Sequence, residues 1–134
     1  MKYIFALLLL VVISTAATAQ IIGSKKAHAF PSLEVASFAD TIKNKNVILV
    51  DVRTPQEFAE GHIEGAINVM WGKTFDDNLQ RAKLDKTKII AVYCRGGRRS
   101  KMAGDRLIEK GYKVVDLDGG IAAWQKEGGA VVTK

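Results

Sequence analysis

Lys88-Ile89-Ile90-Ala91-Val92-Tyr93-Cys94-Arg95-Gly96-Gly97-Arg98-Arg99-Ser100 passes from an apolar run into a short loop rich in glycine and arginine. The run over 88–93 lacks polar alternation, which predicts a strand buried on both faces. Residues 100–110 predict a helix that turns Ala103, Leu107 and Met102 inward, with Gly111 as its C-terminal cap. The chain's single cysteine, Cys94, stands at the junction. A thiol placed there faces free backbone N–H groups, the positive end of a helix dipole and three arginines, all of which favour thiolate.

The same alternation of apolar runs and helical spacing extends to both sides. Val35, Phe38, Ala39 and Ile42 recur at helical spacing, and Val47-Ile48-Leu49-Val50 predicts a second buried strand ending at Asp51-Val52-Arg53. Thr54-Pro55-Gln56-Glu57 is a helix start, with Thr54 as N-cap, Pro55 at the first helical position and Glu57 closing a capping box. Gly61 stops that helix. Ala66-Ile67-Asn68-Val69 predicts a brief strand, Phe75, Leu79 and Ala82 a helix, and Val114-Val115-Asp116-Leu117 a strand. Gly119-Gly120 turns into a last helix carrying Ile121 and Trp124, which ends near Gly128. Strands alternating with helices imply an α/β domain, a parallel sheet flanked by helices on both faces. In such sheets ligands sit beyond the carboxyl ends of the strands, where residues 51–53, 94–100 and 118–120 converge.

The N-terminus has the pattern of an export signal. Lys2 is the charged start, residues 3–13 form an apolar core, and Ala17-Thr18-Ala19 is a small-residue cleavage site before Gln20. The apolar core falls short of the ~20 residues a bilayer span needs, so stable membrane insertion is not expected. Signal removal after residue 19, a flexible leader over 20–31 and one domain over 32–130 are therefore expected, with a periplasmic or secreted location. The net charge of +6 loses only Lys2. Three of the positive charges lie in the cysteine loop, which suits small anions, and an exported chain has little occasion to meet nucleic acid. One copy of Arg95-Gly96-Gly97 is likewise no RNA-binding tract. In an oxidising compartment a lone cysteine implies intermolecular pairing or a free reactive thiol.

The loop chemistry narrows the reading. Gly96 and Gly97 let the backbone curl so that successive N–H groups form an anion nest, and Arg98 and Arg99 are fork-shaped donors for an oxyanion. Tyrosine-phosphatase and arsenate-reductase loops place five residues between cysteine and arginine. Here four separate Cys94 from Arg99, and the longer offset falls on Ser100. The tighter loop favours a smaller group than phosphate.

Three ordered stretches carry a resemblance to a known family. Asp51-Val52-Arg53-Thr54-Pro55-Gln56-Glu57-Phe58 followed by Gly61-His62-Ile63-Glu64-Gly65-Ala66-Ile67-Asn68 resembles the first signature of the rhodanese family. Residues 94–100 resemble its active-site loop in the form associated with sulfur transfer, and Gly119-Gly120-Ile121-Ala122-Ala123-Trp124 resembles its closing motif. The resemblance covers about residues 33–129 and departs at Met70-Trp71, where proline is usual. It implies an exported single-domain thiosulfate sulfurtransferase in which Cys94 is the nucleophile. Arg95, Gly96, Gly97, Arg98, Arg99 and Ser100 would bind the anion, and Arg99 would orient loop or substrate. The donor would be a small sulfur anion and the acceptor cyanide or a thiol, a protein thiol included, with no metal or organic cofactor. The alternative is a persulfide relay or protein-interaction module with incidental thiosulfate activity.

Other residues have plainer readings. Asp51 and Arg53 are expected to pair at the strand end. His62 is expected to be structural, because a stabilised thiolate needs no base. Glu57 is explained as a helix cap, His28 carries no signal, and Trp71 either lines a pocket or plugs the core.

Overall fold

The computed structural model describes residues 27–134. The export signal expected over 1–19 and residues 20–26 of the leader lie outside them. The elements are β1 (Ser32–Leu33), α1 (Val35–Thr41), β2 (Val47–Asp51), α2 (Pro55–Glu60), β3 (Ile67–Asn68), α3 (Phe75–Ala82), β4 (Ile89–Tyr93), α4 (Arg98–Glu109), β5 (Lys113–Leu117) and α5 (Gly120–Lys126). All strand pairs are parallel, in the order β1-β5-β4-β2-β3. The three longest strands are the apolar runs, and they occupy the centre because only there are both faces covered. Among the described residues no helix is long and apolar enough to cross a membrane.

Strand alternation decides which way each side chain points. On one face Val50, Val52, Ile90, Val92 and Val114 pack with Phe75 and Leu79 of α3 and Ala103 and Leu107 of α4. On the other, Leu49, Ala91, Tyr93 and Leu117 pack with Phe38 of α1 and with Ile121 and Trp124 of α5. Continuing the period of two from Ile90 and Val92 places Cys94 on the α3/α4 face, and it belongs to that cluster.

Several boundaries differ from the sequence expectations. Helix α4 begins at Arg98 rather than at 100, because Gly97 takes a left-handed conformation (φ 108°) and serves as its N-cap. Met102 points outward and is 39% exposed, while Ala103 and Leu107 are buried. The domain also reaches past both ends of 32–130. Phe30 is buried against Gly104, where a Cβ would strike its ring, and Pro31 accepts the Asp116 N–H at 3.0 Å. Beyond residue 130, Val132 exchanges two 2.8 Å backbone hydrogen bonds with His62. The described end of the leader is therefore packed, and Phe30 fills a space that a glycine leaves open.

Candidate active site

Cys94 follows β4 directly, and its side chain is 1% exposed. Gly97 N–H donates to Sγ at 3.0 Å, and the thiol donates to Ser100 Oγ at 3.5 Å. The Ser100 hydroxyl in turn donates to the Gly97 carbonyl at 3.2 Å. Arg98, Arg99 and Ser100 occupy the first turn of α4, whose N–H groups have no intrahelical acceptors. These donors, with the positive end of the helix dipole, form a ready cradle for negative charge on sulfur.

The outer side of the loop is held by α5. Ile121 N–H donates to the Cys94 carbonyl at 2.9 Å and Ala122 N–H to the Arg95 carbonyl at 3.1 Å. A Cβ at Gly120 (φ +63°) would collide with the Cys94 and Arg95 carbonyls, so the Gly119-Gly120 pair is what permits this approach. Loop carbonyls are thus turned toward α5.

The three loop arginines do different things. Arg99 is clamped by Glu57: Nη1 donates to Oε1 at 2.7 Å and Nη2 to Oε2 at 2.9 Å. That bond, with the charge of Glu57, raises the Arg99 pKa, and Arg99 holds the Glu57 carboxyl down at about 2. Arg98 is exposed. Arg95 is also exposed and lines a groove of about 320 Å³ with Arg53, Glu57, Glu60, Ile121 and Gln125. Cys94 does not line that groove. Gly96 is exposed, its φ is not positive, and a Cβ there would meet nothing within 4 Å. The left-handed position in the loop belongs to Gly97 alone, so only one of the two glycines is required by the curl.

The neighbouring polar and aromatic residues are held in contacts of their own. Asp51 accepts from Arg53 Nη2 at 2.7 Å, from Nε at 3.1 Å and from the Arg53 N–H at 2.9 Å. Burial pulls the Arg53 pKa down, but the bond and charge of Asp51 outweigh it and leave it raised. Burial pushes the Tyr93 phenol up, and its oxygen accepts the Ile63 N–H at 3.0 Å. His62 stacks on Phe58 with ring centroids 3.6 Å apart, and its two nitrogens lie 2.8 Å from the Phe58 carbonyl and 3.1 Å from the Lys134 carbonyl. Trp71 is half-buried, packs against the cluster that contains Cys94 and tilts onto Phe75 at 4.9 Å. The link from Glu57 to Arg99 was not expected from sequence, because a capping box already accounted for the glutamate.

The parallel sheet, the loop after β4 and the α5 turn define a rhodanese fold, and the chain belongs to that family: residues 34–127 match the rhodanese-like domain. Among its relatives is a sulfurtransferase of Allochromatium vinosum, 37% identical over 95 residues, which cover 70% of this chain and 83% of the relative. The fold is similar to that of a rhodanese-related protein from Thermoplasma volcanium (TM-score 0.67, 33% identity, 78% of this chain and 100% of the other). It is also similar to that of a rhodanese-like domain protein from Staphylococcus aureus (TM-score 0.66, 32% identity, 78% and 99%).

Proposed function

We propose that this protein is a sulfurtransferase that takes the outer sulfur of thiosulfate, or of a similar small anionic donor, onto Cys94. The Cys94 thiolate attacks that sulfur and a new S–S bond forms. The thiosulfate S–S bond breaks, and its electron pair leaves with sulfite. A persulfide anion remains on Cys94. Cyanide or a thiolate, on a small molecule or a protein, then attacks the terminal sulfur. The Cys94 S–S bond breaks, its pair returns to Sγ, and thiocyanate or a new persulfide departs. This is covalent catalysis in an electrostatic cradle.

The observation that carries the reading is the cradle itself, with the Gly97 N–H on Sγ at 3.0 Å and the first turn of α4 behind it. The surroundings favour sulfite over an alkoxide as leaving group. Phosphate-ester cleavage calls for a protonated acid to serve the departing oxygen. Here Glu57 is held ionised by Arg99 and Asp51 is bonded to Arg53. Arg99 itself has both terminal nitrogens on Glu57, so its fork is not free for the anion, which the backbone N–H groups of the loop can receive. Sulfite departs without a proton. A relative of known structure from Rhodopseudomonas palustris, 25% identical, has been described as a possible tyrosine phosphatase, which makes the contrast worth an assay.

Export is part of the same proposal, supported by the charged, apolar and small-residue pattern of residues 2–19. Intact mass spectrometry after incubation with thiosulfate tests both. The expected result is a chain lacking residues 1–19, heavier by one sulfur atom, with thiocyanate released on adding cyanide and no gain in Cys94→Ser. A wild-type protein that gains no sulfur, or Cys94-dependent hydrolysis of an aryl phosphate without thiosulfate turnover, overturns the enzymatic reading.

A further inference from the structure

Asp116 lies near the carboxyl end of β5, between Ser32 of the edge strand β1 and Val92 of β4, and is 0% exposed. Its Oδ2 accepts from Ser32 Oγ at 2.8 Å and from Lys101 Nζ at 3.3 Å, and its Oδ1 has no hydrogen-bond partner. A carboxylate held there is costly, and an apolar or amide side chain would fit the sheet at lower cost. Nothing in the sulfur-transfer steps uses it directly.

Lys101 shows where its effect goes. The same Nζ that meets Asp116 lies 3.5 Å from the Gly97 carbonyl, and it occupies the space beside Gly97, where a Cβ would sit 3.2 Å from it. The Gly97 carbonyl also accepts from the Ser100 hydroxyl and from the Lys101 N–H at 3.4 Å. In a trans peptide the carbonyl and the following N–H point in opposite directions, and no cis peptide occurs among the described residues. Holding the Gly97 carbonyl down into α4 therefore turns the Arg98 N–H outward from the helix N-terminus, next in the chain to the Gly97 N–H that donates to Sγ.

We infer that the Asp116–Lys101 pair is a positioning device that fixes the Gly97–Arg98 peptide of the sulfur-binding loop, so that its N–H is preset for the persulfide anion. The inference rests on the sulfurtransferase reading above. Asp116 anchors a long, flexible side chain that would otherwise sample many rotamers, and Ser32 ties that anchor to the edge strand β1. Lys101 and Asp116 are positioning residues, since neither touches the reacting sulfur.

The test measures the rate at which thiosulfate loads sulfur onto Cys94, across donor concentrations, in wild type, Lys101→Arg and the double variant Lys101→Met/Asp116→Asn. The double variant removes the ammonium without leaving a buried carboxylate unpaired. It is expected to keep its melting transition while the maximal loading rate falls about tenfold at unchanged KM, the mark of an interaction realised in the transition state. Lys101→Arg, which retains a cationic donor, is expected to recover most of the rate. Loading by the double variant at the wild-type rate overturns the inference. So does a fall in rate that only tracks loss of folded protein. A wild-type chain that takes up no sulfur overturns the sulfurtransferase reading instead, and the inference falls with it.

Discussion

Glu57 and Arg99, 42 residues apart in the chain, meet as a two-pronged ion pair at 2.7 and 2.9 Å. The same glutamate closes the capping box of α2 with Thr54. One carboxylate therefore ties the start of α2 to the first turn of α4 and fixes the outer wall of the cysteine loop. Glu57→Gln retains a side chain suited to the capping box but loses the charge. The expected outcome is a stability loss of about 1 kcal/mol in urea titrations, the pair being partly exposed, together with slower sulfur loading as Arg99 leaves its place.

The pH dependence of stability follows from the same pair. The Glu57 carboxyl lies at about 2 in the folded chain against an ordinary 4.5, chiefly through its bond to Arg99. A carboxylate lowered by folding contributes in full above its unfolded value and loses that contribution as pH falls toward the folded one. The wild-type melting temperature should therefore decline between pH 4.5 and about 2. Glu57→Gln should decline less steeply through that window. Melting curves at half-unit steps, on both proteins in one buffer series, check this; parallel slopes would refute it.

The two loop glycines should separate cleanly. Gly97 has φ +108°, and a Cβ there would lie 3.2 Å from Lys101 Nζ and 3.6 Å from the Gly119 N. Gly97→Ala should lose about 1–2 kcal/mol for the left-handed backbone and most of its sulfur loading as the N–H on Cys94 shifts. Gly96→Ala meets nothing within 4 Å and has no left-handed φ to strain. It should fold and load sulfur as the wild type does, which thermal melts and mass spectrometry would read together.

The central strands and the cysteine loop were legible because burial on both faces writes an unbroken apolar run, and because a strand, a glycine turn and a helix start must follow one another there. The strand Ser32–Leu33 was not, since two residues carry no period and pairing with β5 holds them in place. Phe30 escaped notice for a similar reason: the space it fills is made by Gly104, far along the chain. Met102 fits the helical spacing of Ala103 and Leu107 loosely, and the earlier helix start at Arg98 does not alter its outward direction. Long-range ion pairs are hidden in principle. Neither the 42-residue reach from Glu57 to Arg99 nor the bond from Lys101 to Asp116 leaves a local pattern.

The Asp51–Arg53 pair at the end of β2 gives the largest expected stability effect. Asp51 is 0% exposed, and Arg53 meets it through Nε, Nη2 and its own N–H while also donating to the Gly61 carbonyl at 2.6 Å. Arg53→Met would leave a buried carboxylate with the backbone donor but no cation, and would strip the Gly61 carbonyl of a donor. Breaking one side of such a pair typically costs about 3–5 kcal/mol. Pairing the change with Asp51→Asn removes the stranded charge and should recover part of that loss, because an amide can still accept the Arg53 position's N–H. Urea denaturation of the single and double variants distinguishes the outcomes. If Arg53→Met alone costs less than the double variant, the arginine's role is packing over Tyr93, where its guanidinium lies 5.8 Å from the ring centre, and the charge pairing at the strand end is secondary.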